Sequence, residues 1–219
     1  MRGVSLYLEP RSFRIGIDVG QRVDHSAICL IEESDKIIVR LLTKYPLGTP
    51  FPLFVKTLVE TIRSVAKQGE VLGVAIDATG VGAAPSQMLQ DSLPEMRVEP
   101  FVFTNKNKRE LVGKVKVLHS TGRLRFATRK GDELYNRTLQ ELINEMKQLQ
   151  ARVIREDISN PEIEVFKTGT HDDLFTALAL AVKDIQIMSP SATAEFIEDK
   201  SWVKTPLDEQ WSVPIPVFF

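Results

Sequence analysis

The sequence has little that would suggest a secreted or membrane protein. Cys29 is its single cysteine, which excludes an internal disulfide. The longest apolar run, residues 174–182 with Thr176 inside it, is too short to cross a bilayer. Residues 1–12 lack the apolar core and small-residue cleavage site of a signal peptide. We therefore expect a cytoplasmic protein without a membrane partner.

Nucleotide-binding loops are also absent from the sequence. No Gly-x-x-x-x-Gly-Lys-Ser/Thr motif occurs, so the chain carries no P-loop ATPase. The stretch that begins at Gly80-Val81-Gly82 lacks the third glycine of a dinucleotide-binding fingerprint, and it follows Asp77, whose charge would repel a pyrophosphate. These glycines are better explained as a tight turn between a strand and a helix.

Length and composition are those of an ordinary globular protein. With 219 residues, 43 % hydrophobic and 26 % charged, the chain can bury the core of one α/β domain. We assign residues 1–188 to this domain. Residues 189–219 contain several prolines, scattered acids and both tryptophans, and are expected to form an extended C-terminal tail.

Charge is distributed unevenly, although the net charge is only −1. Residues 104–131 contain nine basic residues and one acid, Glu110. Such a segment on a nearly neutral chain indicates an anionic partner. The alternative is that these side chains only solvate the outer face of a helix.

Hydrophobic periodicity predicts a mixed sheet. Three strands, at 13–19, 25–33 and 36–44, form an antiparallel meander, and an amphipathic helix over 52–68 leads to a buried strand at 71–77. A strand reached through a helical crossover usually lies parallel in the same sheet. We predict further helices at 83–90, 108–120, 135–149 and 170–187, strands at 97–103 and 123–126, and a hairpin pairing 152–154 with 163–166.

Three short motifs place carboxylates beside apolar sequence. Asp18 and Asp77 each end a strand-like run, and Asp172 with Asp173 opens an apolar helix. Gathered carboxylates repel one another and need cations to hold them together, which points to a divalent metal site. Each acid also has a structural explanation: Asp18 and Asp77 can hold turns, and either of the last pair can cap its helix.

A family resemblance joins these motifs. The segments beginning at Asp18, Asp77, Phe103, Gly122 and His171 resemble, in order and with compatible spacing, the nuclease domain of viral terminase large subunits of the tailed-phage and herpesvirus type. The resemblance covers residues 13–187. It implies an α/β, ribonuclease H-like fold with a three-strand meander, parallel strands and helices on both faces of the sheet.

The resemblance also implies a function and a location. It implies an endonuclease that cuts double-stranded DNA during viral genome packaging, in the host cytoplasm, through two-metal phosphodiester hydrolysis with Mg²⁺ or Mn²⁺. Partners would be DNA and an ATPase motor domain, the portal or the small terminase subunit. The lack of a P-loop is a departure from full terminase large subunits, which place an ATPase before the nuclease.

Specific residues can be assigned to these roles. Asp18, Asp77, Asp172 and Asp173 are the expected catalytic metal ligands, and Asp24 and His171 are candidates for a second layer around them. His25, His119 and Cys29 have no sequence context that indicates a function. The basic residues expected to contact DNA phosphates are Lys106, Lys108, Arg109, Arg123, Arg125 and Arg129.

Three other functions remain open from the sequence. A Holliday-junction resolvase would share the acids and the fold. A non-catalytic module could keep the fold only to bind DNA or a portal. An actin-like ATPase is less well supported, because nothing after Phe103 supplies the second phosphate loop that this class needs.

Overall fold

The computed structural model of the chain describes residues 11–20, 23–156 and 172–187, with side chains omitted for 149–156. Its centre is a six-stranded mixed sheet in the order β5-β4-β1-β2-β3-β6. Strands β1, β2 and β3 form the predicted antiparallel meander, while β4 lies parallel to β1. The strands are β1 (Ser12–Asp18), β2 (Ala27–Glu33), β3 (Ile37–Lys44), β4 (Glu70–Asp77), β5 (Val98–Phe101) and β6 (Leu124–Arg125).

In the described residues, five α-helices pack against the sheet or lie around it, and a short 3-10 helix (Gly80–Gly82) precedes the second of them. Helix α1 buries the apolar stripe that its sequence predicted, including Phe54, Leu58 and Ile62. Helix α3 begins three residues earlier than predicted, because Thr104 and Asn107 form a reciprocal capping box there. The helices are α1 (Phe51–Ala66), α2 (Ala83–Ser92), α3 (Asn105–Ser120), α4 (Glu133–Glu156) and α5 (Asp173–Ala181).

The sheet separates two hydrophobic cores. In one core, α1 and α2 pack against the face of the sheet that carries Ile15, Ile17 and Ile76. The other packs α3, α4 and α5 against the opposite face. Every residue of α5 is buried, as expected for a helix that is apolar nearly all round.

Gly16 allows α5 to lie directly on β1. A Cβ atom at this position would stand 2.0 Å from the carbonyl oxygen of Ala177 and 2.3 Å from the amide nitrogen of Ala181. Only a residue without a side chain permits this approach of strand and helix. The glycine in the first motif therefore sets how close the second half of α5 comes to β1.

The predicted fold class is confirmed, with two local differences. Helix α5 ends at Ala181, although the last helix was predicted to continue to 187. Residues 152–154 were predicted as a strand, but they lie within α4, which continues to Glu156. The short β-branched pair there favours a strand only weakly, and continuation of a hydrogen-bonded helix overrides such a local preference. The predicted partner, 163–166, and the tail, 189–219, lie outside the described residues. No helix in the described part is both long and apolar enough to span a membrane.

Candidate metal and nuclease site

Asp18 and Asp77 lie side by side at one edge of the sheet. Ile17 pairs with Ile76 across the parallel strands β1 and β4, so the next residue of each strand is an aspartate. Both isoleucines belong to the core under α1, and side chains alternate along a strand. The two aspartates therefore point to the opposite face, the one that α5 covers.

Helix α5 brings the second pair of acids to this point. Its first residue is Asp173, with Asp172 immediately before it. Burial raises the pKa of Asp18 well above its usual value, and the charges of Asp77, Asp173 and Asp172 raise it further, against an opposing effect of Lys108. We refer to Asp18, Asp77, Asp172 and Asp173 as the acid cluster.

Asp77 holds a turn and also lies in the acid cluster. One carboxylate oxygen, Oδ1, accepts a 2.7 Å hydrogen bond from the amide of Thr79, so the side chain does hold the turn after β4. Burial nevertheless raises the pKa of Asp77, although the hydrogen bonds from Thr79 and the charge of Lys108 oppose this. Gly82 keeps the turn tight, because a Cβ there would lie 2.2 Å from the carbonyl oxygen of Asp77.

Two lysines contact the acids at the start of α5. Lys108 Nζ lies 3.0 Å from Asp172 Oδ2, and Lys44 Nζ lies 3.6 Å from Asp173 Oδ2. Asp173 is almost fully buried, at 3 % exposure. Asp172 is at the N-cap position, but its side chain makes no capping hydrogen bond. The predicted cap at Asp173 relied on Thr170, which lies outside the described residues.

Sequence analysis missed two residues beside the cluster, Lys44 and Glu145. Lys44 ends β3 and also lies 3.6 Å from Glu141 on α4. Burial raises the pKa of Glu145 to about 8; the amide of Phe175 and Lys44 lower it, and Asp173 and Asp172 raise it. A signal for Glu145 existed: it lies between the buried Leu142 and Met146, on the inner side of α4.

The acid cluster fits divalent cations by its donor chemistry. Within residues 11–20, 23–156 and 172–187, no three acidic, histidine or cysteine side chains are grouped closely enough to enclose a metal ion in their present positions. Carboxylate oxygens are, however, the ligands that Mg²⁺ and Mn²⁺ prefer, and the repulsion that raises the pKa of Asp18 is what a cation would relieve.

Asp24 and the histidines have different surroundings. Asp24 is exposed in the loop between β1 and β2, where Ser26 Oγ bonds the backbone of Gly20. His25 Nδ1 lies 2.7 Å from the carbonyl oxygen of Tyr45, and His119 stacks on Phe126. Cys29 is buried in the core, as its apolar strand suggests. His171 lies outside the described residues.

The six predicted DNA-binding residues fall into two groups. Lys106, Lys108 and Arg109 lie in the first turn of α3, and Lys108 contacts the acid cluster directly. Lys106 and Arg109 are exposed. This group can therefore meet an anion that approaches the acids.

The other group lies at the far end of the sheet. Arg125 is in β6, which pairs with the beginning of β3, whereas Lys44 at the end of β3 approaches the acids. Arg123 donates to the carbonyl oxygen of Gln186. Arg129 lies over the ring of Tyr135, 4.0 Å from its centroid, and pairs with Asp132. The structure does not bring these three arginines to the acid cluster.

This fold and its edge of acids define a ribonuclease H-like protein of the terminase type. The model of the terminase RNaseH-like domain matches residues 15–184, and the chain belongs to this family. The predicted family is thereby confirmed. A search of curated protein sequences gives no match.

Solved structures share the fold at low sequence identity. The manganese-soaked, inhibitor-bound nuclease domain of human cytomegalovirus terminase is 12 % identical, with a TM-score of 0.57 over 80 % of this chain and 82 % of that one. A second manganese-soaked structure of this domain is 11 % identical, with a TM-score of 0.54 over 84 % of this chain and 87 % of that one. The large terminase of bacteriophage HK97 is 13 % identical with a TM-score of 0.47, over 80 % of this chain and 39 % of that one.

Proposed function

We propose that this chain is an endonuclease that cleaves double-stranded DNA with two divalent cations, Mg²⁺ or Mn²⁺, held by the acid cluster. The observation that carries the proposal is the gathering of four aspartates from three distant segments, with a raised pKa at Asp18. Burying like charges together opposes folding, so a fold that keeps them needs a cation or a reaction to account for them. Family membership supports the same function.

Each acid has a distinct position for this work. The charges of all three other members of the cluster raise the pKa of Asp18, which is therefore the best candidate to bridge two ions. Asp77 would bind one ion, and Asp172 and Asp173 the other. Bound cations would activate water and stabilise charge on the scissile phosphate. Manganese in the soaked cytomegalovirus domains supports the choice of metal.

The start of α3 supplies the surface for DNA. Lys108 reaches into the acid cluster, while the exposed Lys106 and Arg109 can contact flanking phosphates and offset repulsion between the acids and DNA. Such contacts carry no base information, so we expect weak sequence preference. A phosphate-binding role for Arg123, Arg125 and Arg129 stays a prediction. The placement of Asp24 and His171 near the metals also stays a prediction. So do the partners, an ATPase motor domain, the portal or the small terminase subunit.

Plasmid nicking tests the proposed activity. Supercoiled plasmid with Mn²⁺ should be nicked by the wild-type chain and left intact by Asp18→Ala and by Asp77→Ala, because each substitution removes a ligand. Asp35→Ala, which changes an exposed aspartate in the turn between β2 and β3, is the matched control and should nick normally. Intact plasmid with the wild-type chain under all metal conditions would contradict the proposal. Preferential cleavage of a four-way junction would instead indicate a resolvase.

Salt dependence tests the DNA surface separately. Replacing Lys106 and Arg109 by alanine should flatten the slope of log affinity against log salt by about 2, one unit for each lost phosphate contact. The control replaces Lys56 and Lys67, which are exposed along α1 and at its end on the other face of the sheet. Equal slopes for the two double variants would show that DNA does not pass over the start of α3.

A further inference from the structure

The N-cap residue of helix α5, Asp172, does not cap the helix with its side chain. The first turn of a helix has N–H groups without partners inside the helix, and an N-cap residue usually accepts one of them. Asp172 is at the N-cap position, but its side chain makes no capping hydrogen bond and lies 3.0 Å from Lys108 instead. Asp173 lies 3.6 Å from Lys44. Both acids at the helix start therefore have other contacts.

The missing acceptor comes from another helix. Glu145 on α4 accepts a 2.8 Å hydrogen bond at Oε2 from the amide of Phe175, the third residue of α5. This is the position that an N-cap side chain would normally satisfy. Helix α3 shows the usual arrangement, since there Thr104 accepts from Asn107 three residues later in the same segment.

We propose that Glu145 is a positioning residue that caps α5 from outside and thereby leaves Asp172 available to bind a cation. An aspartate that caps its own helix has one oxygen committed to the backbone. With Glu145 as acceptor, Asp172 does not have to turn toward the helix, and the first turn of α5 is fixed against α4. The inference rests on the proposed function, because it concerns the ligands of that site.

The surroundings of Glu145 suit a cap better than a metal ligand. Its Oε2 is directed at a backbone amide, and burial raises its pKa to about 8. A carboxylate and a neutral carboxylic acid can both accept a hydrogen bond at a carboxyl oxygen. The hydrogen bond to Phe175 therefore does not require the ionised form.

Two substitutions at Glu145 separate a cap from a ligand. Glu145→Gln keeps an oxygen acceptor of the same length, whereas Glu145→Leu removes it. We expect Glu145→Leu to speed exchange of the Phe175 amide about tenfold, the effect of one hydrogen bond. It should also weaken Mn²⁺ binding, followed by electron paramagnetic resonance, about tenfold or more, as for other residues that orient metal ligands. Glu145→Gln should stay close to wild type in both.

Matched controls lie on the same helix. Glu133 is exposed in the first turn of α4, about three turns before Glu145, and Glu133→Gln and Glu133→Leu should change neither measurement. Equal loss of Mn²⁺ binding in Glu145→Gln and Glu145→Leu would overturn the proposal and make Glu145 a ligand. Faster exchange of the Phe175 amide in Glu145→Leu, with unchanged Mn²⁺ affinity, would overturn the proposed effect of the cap on cation binding.

The wild-type chain gives a test that does not depend on a variant folding. Its Phe175 amide should exchange more slowly than an open first-turn amide, and equal rates would overturn the cap. If the wild-type chain binds no Mn²⁺, the proposed function fails, yet amide exchange still reports the cap. The two failures are therefore distinguishable.

Discussion

The two ends of helix α5 hold acidic residues in opposite ways. At its start, burial and like charges raise the pKa of Asp18. Just past its end, a hydrogen bond from Lys183 is the main cause that lowers the pKa of Glu99, against a smaller opposing effect of burial. Lys183 and Asp184 there belong to an ion-pair network with Arg14, Glu33, Arg97 and Glu99.

This difference separates acids that support the fold from acids that strain it. In the ion-pair network each carboxylate has a basic partner, so ionisation favours the folded state. In the acid cluster the ionised folded state is disfavoured until positive charge is added. The lysines at Asp172 and Asp173 supply part of that charge. Raised pKa values with several acidic neighbours thus mark the end of α5 for which we propose a function.

The largest effect is expected from a change that disturbs both ends at once. Gly16→Ala places a methyl group 2.0 Å from the Ala177 carbonyl oxygen and must displace α5. We expect a loss of about 3 kcal/mol in unfolding free energy, in the upper range for overpacking, together with loss of nicking. Gly73→Ala, where a Cβ meets nothing within 4 Å, is the control and should change stability by about 0.5 kcal/mol at most. Similar urea midpoints for both variants would contradict this.

The pH dependence of stability should differ between the ends. Because the pKa of Asp18 is raised in the folded protein, the contribution of Asp18 to the free energy of unfolding is most favourable below the unfolded pKa, about 4. It is lost as pH rises through the folded pKa. The midpoint temperature of thermal unfolding of the metal-free chain should therefore fall by a few degrees as the pH rises above about 4. Asp18→Asn should flatten that fall, and Mn²⁺ should oppose it in the wild type only. An equal decline of the midpoint temperature in Asp18→Asn would show that the pH-dependent loss of stability arises at another residue.

The ion-pair network should show the reverse trend with a smaller amplitude. Since the pKa of Glu99 is lowered, its stabilisation is present above its unfolded pKa, about 4.3, and is lost as pH falls through the folded value. Lys183→Met should cost at most about 1 kcal/mol at neutral pH, because these pairs are partly exposed, and should leave nicking unchanged. A Lys183→Met variant that loses nicking at normal stability would show that the two ends are coupled through α5.

Sequence patterns predicted the frame of the site well. Alternating apolar residues identified the strands that end at Asp18 and Asp77, and the uninterrupted apolar sequence after Asp173 identified a buried helix. These predictions succeeded because periodicity reports directly which face is buried. The resemblance to terminase nuclease domains added the order in which the segments assemble.

Residues that act across helices were beyond prediction. Lys44 and Glu145 each occupy an ordinary position for a charged residue, one at a strand end and one within an amphipathic helix. The local sequence shows only that Glu145 lies on the inner side of α4, and the fold alone brings it against the amide of Phe175. The basic segment likewise predicted a single DNA surface, but Lys106 at the start of α3 and Arg125 in β6 lie toward opposite ends of the sheet.

The sequence by itself determined the strands, the buried helix and the acids at their ends, because each depends on hydrophobicity and charge over a few neighbouring residues. The tertiary structure decided which groups surround those acids. Close contact of α5 with Gly16 and the packing of α4 against α5 bring together residues far apart in the chain. Desolvation and charge interactions depend on such distances in space, and these alone separate the strained acids from the paired ones.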